Sequence, residues 1–346
     1  MENLNIFELL YEDYKINKET PLRIIELFAG YGSQSLAVKS LGVKYEHWKI
    51  CEWSIPSIIA YASVHRNELE WYGQDFCGDL TKEQIAKLLF DAGVSADYNK
   101  PATLEQLKRM SEDKLRLCFN SIQWANNLVD VSRVKGRELN VVDTETFTYL
   151  LTYSFPCQDL STAGKCAGME KGSGTRSGLL WEVERILTEC NEWGKEHLPQ
   201  LLLMENVCQV HGAGNEKHFK QWMLRLEELG YQNYWQDLSA TEFKIPQTRN
   251  RTFMVSILNG KNGEKYNYTF PKKTKLELRL KDLLEPEGTV DEKYYISDKM
   301  LNYISKTGGG GYANKDARIN LEIARPLTTD QNKRAGTTNY LSSEFP

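Results

Sequence analysis

Residues 22–36 read LRIIELFAGYGSQSL. The apolar run 22–29 is strand-like, Gly30 and Gly32 punctuate it, and helical spacing resumes over 34–41. A strand that runs through a Gly-x-Gly turn into a helix builds a nucleotide-type pocket. The glycines let the backbone approach a ligand and aim amide N–H groups at it. Gly30 and Gly32 are therefore candidate wall residues, although a purely structural tight turn would read the same way. The next apolar run, 45–53, closes on Glu52-Trp53. An acidic residue about 20 positions beyond the glycines can hold ribose hydroxyls, and a neighbouring aromatic can stack on adenine. Core packing would account for Trp53 alone; the two features together favour an adenosyl ligand.

Outward from this unit, strand-like runs at 147–154, 199–206 and 251–258 alternate with helical spacing at 54–65, 177–194 and 215–230. The alternation predicts a doubly wound α/β sheet with helices on both faces. Lys82–Gly93 and Thr103–Asn127 read as added helices between the second and third strands. Residues 1–20 form a short amphipathic pattern (Ile6, Phe7, Leu9, Leu10, Tyr14) that Pro21 ends. After Leu258, GKNGEK, PKKTK and TGGGGYANKD break the rhythm, which places a domain boundary near 259.

Composition narrows the class. The 346 residues are 41% hydrophobic and 26% charged, and no apolar run approaches the length of a membrane span. The seven cysteines form no CxxC pair, which argues against a disulfide framework or a zinc site and for a reducing cytoplasm. The net charge of −4 is unevenly spread, with 28 Lys+Arg against 35 Asp+Glu in residues 1–258 and 15 against 12 in the remainder. A mildly basic tail could follow phosphates, and ordinary surface scatter explains it equally well.

Three further strand ends carry chemical groups. SFPCQDLS places Pro156 and Cys157 just beyond the 147–154 run, where sheet ligands bind and where loop amides can favour a thiolate. LLLMENV ends in Glu205-Asn206; a half-buried carboxyl there is a candidate general acid, or else a helix cap. In QTRNR, Gln247, Arg249 and Arg251 alternate and so share one face, catalytic or merely solvated.

FAGYGS, SFPCQ, ENV and QTRNR, in that order and spacing, resemble the bacterial and phage C5-type DNA (cytosine-5) methyltransferases. GSGTRSGLLWEVERIL resembles that family's fifth motif. The resemblance implies a Rossmann-like, S-adenosylmethionine-dependent catalytic domain over 21–258 with an insertion at about 66–127. An N-terminal helical extension (1–20) would precede it and a partial, smaller target-recognition domain (259–346) would follow. It implies double-stranded DNA as partner, base flipping, S-adenosyl-L-methionine as methyl donor and no metal. Cys157 is then the nucleophile, Glu205 the group on cytosine N3, and Arg251 the group on O2, supported by Arg249; Pro156 and Asn206 shape the pocket. Phe28, Ala29, Gly30, Gly32, Glu52, Trp53, Asp130, Val131 and Leu179 line the cofactor. For the third motif Asp79 has the better local wording, but Asp130, 27 residues before Cys157, has the better spacing. The ninth and tenth motifs are not found after 259, so the chain is expected to be truncated, a fragment, or half of a split enzyme that a second polypeptide completes. A non-catalytic DNA- or cofactor-binding remnant is the main alternative, an RNA cytosine-5 methyltransferase a lesser one; nothing beyond the glycine turn and Glu52 suggests a dehydrogenase.

Overall fold

A computed structural model describes residues 20–156, 169–172, 175–260, 263–286, 288–291, 294–295, 297 and 321–326. Residues 1–19 of the amphipathic pattern at 1–20, and Cys157, lie outside the described residues. The chain divides into two compact units: residues 1–236 with 252–270, and residues 237–251 with 271–346. The smaller unit takes up 237–251 as well as residues from 271 onward, and 259–270 lie in the larger one.

Six strands form one sheet: β1 (Leu22–Leu27), β2 (Tyr45–Cys51), β3 (Tyr149–Tyr153), β4 (Leu201–Asn206), β5 (Tyr231–Ser239) and β6 (Asn250–Leu258), in the order β2-β1-β3-β4-β6-β5. β2, β1, β3 and β4 run parallel, and β6 pairs antiparallel with β4. The chain winds from β1 outward to β2, then crosses back to place β3 on the other side of β1. That reversal is a topological switch point, where the carboxyl ends of β1 and β3 leave a crevice. The expected doubly wound α/β class is what the sheet shows, with an antiparallel margin.

Alternation along each strand sends side chains to opposite faces. On one face Leu22, Ile24, Leu150, Leu201, Val255 and Ile257 are buried with Val38 of helix α1 (Ser33–Ser40). On the other, Ile25, Leu27, Leu151, Tyr153, Leu202 and Met204 meet Val183, Ile186 and Leu187 of α6 (Leu180–Trp193) and Phe219, Trp222 and Leu226 of α7 (Glu216–Glu228). The added helices are α3 (Lys82–Ala92), α4 (Leu104–Lys108) and α5 (Glu112–Trp124). They pack Ile85, Leu89, Leu107, Leu115 and Cys118 against Ile55 and Ile58 of α2 (Ile55–Val64) as a small core of their own. Thr81 with Gln84, and Thr103 with Gln106, form reciprocal capping boxes. The stretch read as one helix over Thr103–Asn127 breaks at Arg109–Ser111, because Ser111 caps α5 through Lys114 N–H.

One expectation changes here. The strand β5 was not predicted: its YQNYWQDLS mixes polar residues among aromatics and lacks a clean apolar alternation. The stretch read as insertion at about 66–127 joins the sheet margin at its end. Ile50 N–H donates to Asn126 O at 3.4 Å and Leu128 N–H to Ile50 O at 2.8 Å, so residues 126–128 run beside β2 in a parallel bridge.

Candidate active site

The parallel strands all deliver their next residues to one edge. β1 continues into Phe28–Gly32, β2 into Glu52-Trp53, β3 into Ser154–Pro156, and β4 closes on Glu205-Asn206. β6 begins at the same edge, with Thr252 opposite Asn206 and Phe253 opposite Glu205.

The glycine turn is strained and tightly referenced. Phe28 has φ +60°, a left-handed conformation unusual for a bulky residue, and Gly30 has φ +57°. Gly30 N–H donates to the Glu52 carboxylate at 2.9 Å, and a Cβ built on Gly30 would meet no atom within 4 Å, so the backbone faces open space. Gly32 is the opposite case: a Cβ would fall 2.1 Å from His65 Nε2 and 2.7 Å from Tyr61 Cε2. One glycine leaves room for a ligand, and the other fits against its own protein.

Glu52 is buried, and its carboxylate also accepts Ser54 N–H at 2.8 Å. Burial raises its pKa from the ordinary carboxyl value, against the lowering effect of those amides. Its backbone is clamped by Asn127, whose Oδ1 accepts Glu52 N–H at 3.0 Å and whose Nδ2 donates to Glu52 O at 2.9 Å. The same Oδ1 accepts Val129 N–H, and Val129 holds φ +62°, rare for a β-branched residue. Phe28 and Val129 are outliers near the same carboxylate, and such outliers cluster where a site must be held in one shape. Asn127 was not singled out from the sequence; an Asn-Asn pair before LVD was the only available signal.

Of the other expected cofactor residues, Ala29 is buried and donates its N–H to Cys51 O. Trp53 is half-buried against the small core of the added helices. Asp130 accepts from Ser132 N–H and Oγ–H and pairs with Arg133 at 3.2 Å, so this carboxylate is engaged in its own turn. Val131 is buried in the main core and Leu179 packs beside it at the start of α6. Asp79, the competing third-motif residue, is exposed in the turn before α3, away from the strand ends.

The segment that runs into Cys157 is tied at three successive residues. Gln34 Nε2 donates to Ser154 Oγ at 2.8 Å, Asn206 Nδ2 to Phe155 O at 3.0 Å, and Ser177 Oγ to Pro156 O at 2.8 Å. Asn206 and Ser177 are fully buried. The Pro156 carbonyl belongs to the peptide bond of Cys157, so Ser177 holds the last described atom group before the thiol. Gln34 and Ser177 were missed as site residues because their partners lie 120 and 21 positions away. Glu205 is half-buried at the end of β4.

Within the smaller unit, Gln247, Arg249 and Arg251 are half-buried, and Thr248 and Asn250 between them are exposed, as the period of two requires. Arg249 O accepts Ala240 N–H, Thr248 N–H donates to Ala324 O at 2.8 Å, and Ala324 N–H donates to Pro246 O at 2.8 Å. Residues 246–249 are thereby fixed to the ARP segment at 324–326.

Against this geometry, residues 113–343 match the family model for C-5 cytosine-specific DNA methylases. The chain belongs to that family. Among curated members it is 39% identical over 250 residues to the orphan methyltransferase M.SssI of Spiroplasma monobiae, covering 70% of this chain and 61% of M.SssI. It is 36% identical over 283 residues to the type II methyltransferase M2.ScrFI of Lactococcus lactis subsp. cremoris, covering 81% of this chain and 72% of that one. The chain thus spans less than two thirds of M.SssI. The crystal structure of the S. pombe Dnmt2 methyltransferase shares the fold at a TM-score of 0.56 and 16% identity, covering 93% of this chain and 77% of Dnmt2. Entamoeba histolytica methyltransferase EhMeth does so at 0.52 and 14% identity, with 94% and 77% covered. The resemblance read from FAGYGS, SFPCQ, ENV and QTRNR therefore holds for the family. No helix among the described residues is long and apolar enough to cross a membrane.

Proposed function

We propose that this chain carries the catalytic machinery of an S-adenosylmethionine-dependent transfer of methyl to C5 of cytosine in double-stranded DNA. The observation that supports the reading is the triple tether of Ser154–Pro156, the residues that immediately precede Cys157 in the chain, at the switch-point edge to which the linked Gly30 and Glu52 also belong. The fit to an adenosyl ligand rests on the open space over Gly30, its inward amide, and a clamped, buried carboxylate suited to ribose hydroxyls. Phe28, Ala29, Gly30, Gly32, Glu52, Trp53, Val131 and Leu179 would hold it, with Asp130 keeping the adjoining turn. S-adenosylmethionine supplies an electrophilic methyl on a sulfonium when bound.

The chain's own groups answer the difficulty that cytosine C5 is a poor nucleophile. Cys157 as thiolate adds to C6, and the electron pair displaced from the C5–C6 bond moves through the ring to N3. Glu205 protonates N3 and leaves a neutral enamine whose C5 is nucleophilic. Arg251, supported by Arg249, holds O2 and the charge that gathers there. After C5 has gained its methyl, loss of the C5 proton to a base re-forms the C5–C6 double bond and expels the Cys157 thiolate, and N3 returns its proton to Glu205. Because C6 is inaccessible in a stacked duplex, the cytosine must be flipped out. A cytoplasmic setting accords with Cys51, Cys77, Cys118, Cys190 and Cys208, all free.

The test is incorporation of labelled methyl from S-adenosylmethionine into mixed-sequence duplex DNA and, in parallel, into tRNA. Label in DNA at C5 that depends on Cys157 is the expected result. Label in tRNA alone would overturn the substrate, and cofactor binding without label in either would favour a non-catalytic member.

A further inference from the structure

Beside α2, behind the glycine turn, lies a polar cluster whose His47, His65 and Glu68 the methyl-transfer reading does not use. One ligand atom each from His47, His65 and Glu68 falls within 4.8 Å of the others. His47 Nε2, His65 Nδ1 and Glu68 Oε2 are all buried atoms without a hydrogen-bond partner. Three orphaned polar atoms in one cluster are costly unless something satisfies them together.

The remaining atoms of the same side chains are held, and in a way that fixes their chemistry. Tyr61 OH donates to Glu26 at 2.6 Å, so its oxygen can only accept from His47 Nδ1 at 2.7 Å. His47 then carries its proton on Nδ1 and its lone pair on the orphaned Nε2. His65 Nε2 lies 3.1 Å from Tyr31 O, and a carbonyl cannot donate, so the proton sits on Nε2 and the lone pair on the orphaned Nδ1. Glu68 uses Oε1 on Lys39 and leaves Oε2 available. Each donor is oriented by a partner behind it, the arrangement usual around bound metals.

We propose that His47, His65 and Glu68 form a site for one divalent transition cation of the zinc class. Two imidazoles and one carboxylate suit zinc and its neighbours in the first transition row, whereas magnesium and calcium prefer all-oxygen shells. Tetrahedral zinc with bonds near 2.0–2.1 Å separates its ligands by about 3.3 Å. The ligand atoms, which lie within 4.8 Å of one another, must therefore draw together on binding. The Tyr45 hydroxyl is also buried and unpartnered, and its ring lies edge-on to His47 with centroids 5.2 Å apart. Lys39 opposes the site with its charge, but its side chain is half exposed and can turn to solvent. The cation would brace the glycine turn from behind, because His65 grips Tyr31 O and fills the space that Gly32 leaves.

The test uses the full chain stripped with a chelator. Co2+ is titrated by visible spectroscopy, and Zn2+ by competition with a chromogenic chelator. One equivalent of Co2+ with intense d–d bands is expected, together with a melting temperature that rises with added Zn2+. His47→Asn, His65→Gln and Glu68→Gln should each weaken Zn2+ binding more than about tenfold. Glu68→Gln can still accept from Lys39, and circular dichroism of the metal-free form shows whether each variant folds. If His65→Gln does not fold, the other two variants decide. Absence of a stoichiometric Co2+ spectrum, or Zn2+ affinity unchanged in folded His47→Asn and Glu68→Gln, overturns the site. None of these readouts uses DNA or methyl donor, so the result stands apart from the proposed reaction.

Discussion

Ser177 shows how a residue without chemistry of its own can govern one that has it. Its hydroxyl is the buried donor to the Pro156 carbonyl, one bond from Cys157. Ser177→Ala leaves that carbonyl unsatisfied at a cost of about 1–3 kcal/mol and frees the loop to drift. Under the proposed mechanism, turnover and trapping by 5-fluorocytosine DNA should slow about tenfold or more, since small misplacements of reacting atoms are expensive. Cofactor affinity by calorimetry should hold; a parallel loss of both would assign Ser177 to the fold alone. Glu205 makes the contrasting case, half-buried and at the end of its strand. Glu205→Gln should reduce methylation by about 10²–10⁴-fold with little change in melting temperature. A variant that instead unfolds would make Glu205 a structural carboxylate.

At the level of elements, Glu26 is the oddity: a carboxyl in the middle of β1, 1% exposed. It accepts from Ser35 of α1 and Tyr61 of α2, and so pins both helices to the sheet. Burial, the dominant influence, raises its pKa above 4.5 despite those donors. The folded state then holds this proton more tightly than the unfolded chain does. Its stabilising contribution is full below pH 4.5 and is lost as pH rises from there through the folded value, by at most about 1.4 kcal/mol per pH unit. Glu26→Gln has no such proton to lose. Urea unfolding across that range should show the wild type falling relative to the variant, and parallel curves would refute the shift. The elements themselves were largely legible. Five of six strands and all the longer helices follow from apolar spacing, because β1, β3 and β4 are buried on both faces and read as continuous apolar runs. β5 escaped because its faces are only half-buried and so impose no pattern. The candidate site was legible where its proposed residues sit at a strand end, as at Gly30, Glu52, Pro156 and Asn206. The clamps Asn127, Gln34 and Ser177 were not, since each depends on which strands become neighbours, and spacing along the chain does not carry that.

Across the whole molecule, the glycine turn and Ser154–Pro156 become neighbours through the pairing of β1 with β3. Arg23 lies opposite Tyr149 in that ladder, 126 residues further along the chain. Pairings of such separation form slowly, because loop closure precedes any gain from contacts. The helices α3, α4 and α5 close locally on one another and on α2. Pulse-labelled hydrogen exchange during refolding should therefore protect amides of α3 and α5 before those of β1 and β3. Simultaneous protection would indicate a single concerted step. Synthesis adds a consequence of its own. At about 5–20 residues per second, β1 leaves the ribosome on the order of ten seconds before β3 can reach it. Through that interval Ile25 and Leu27 have no β3 to pair with, and the nascent chain is a candidate client for chaperones that bind exposed apolar strands.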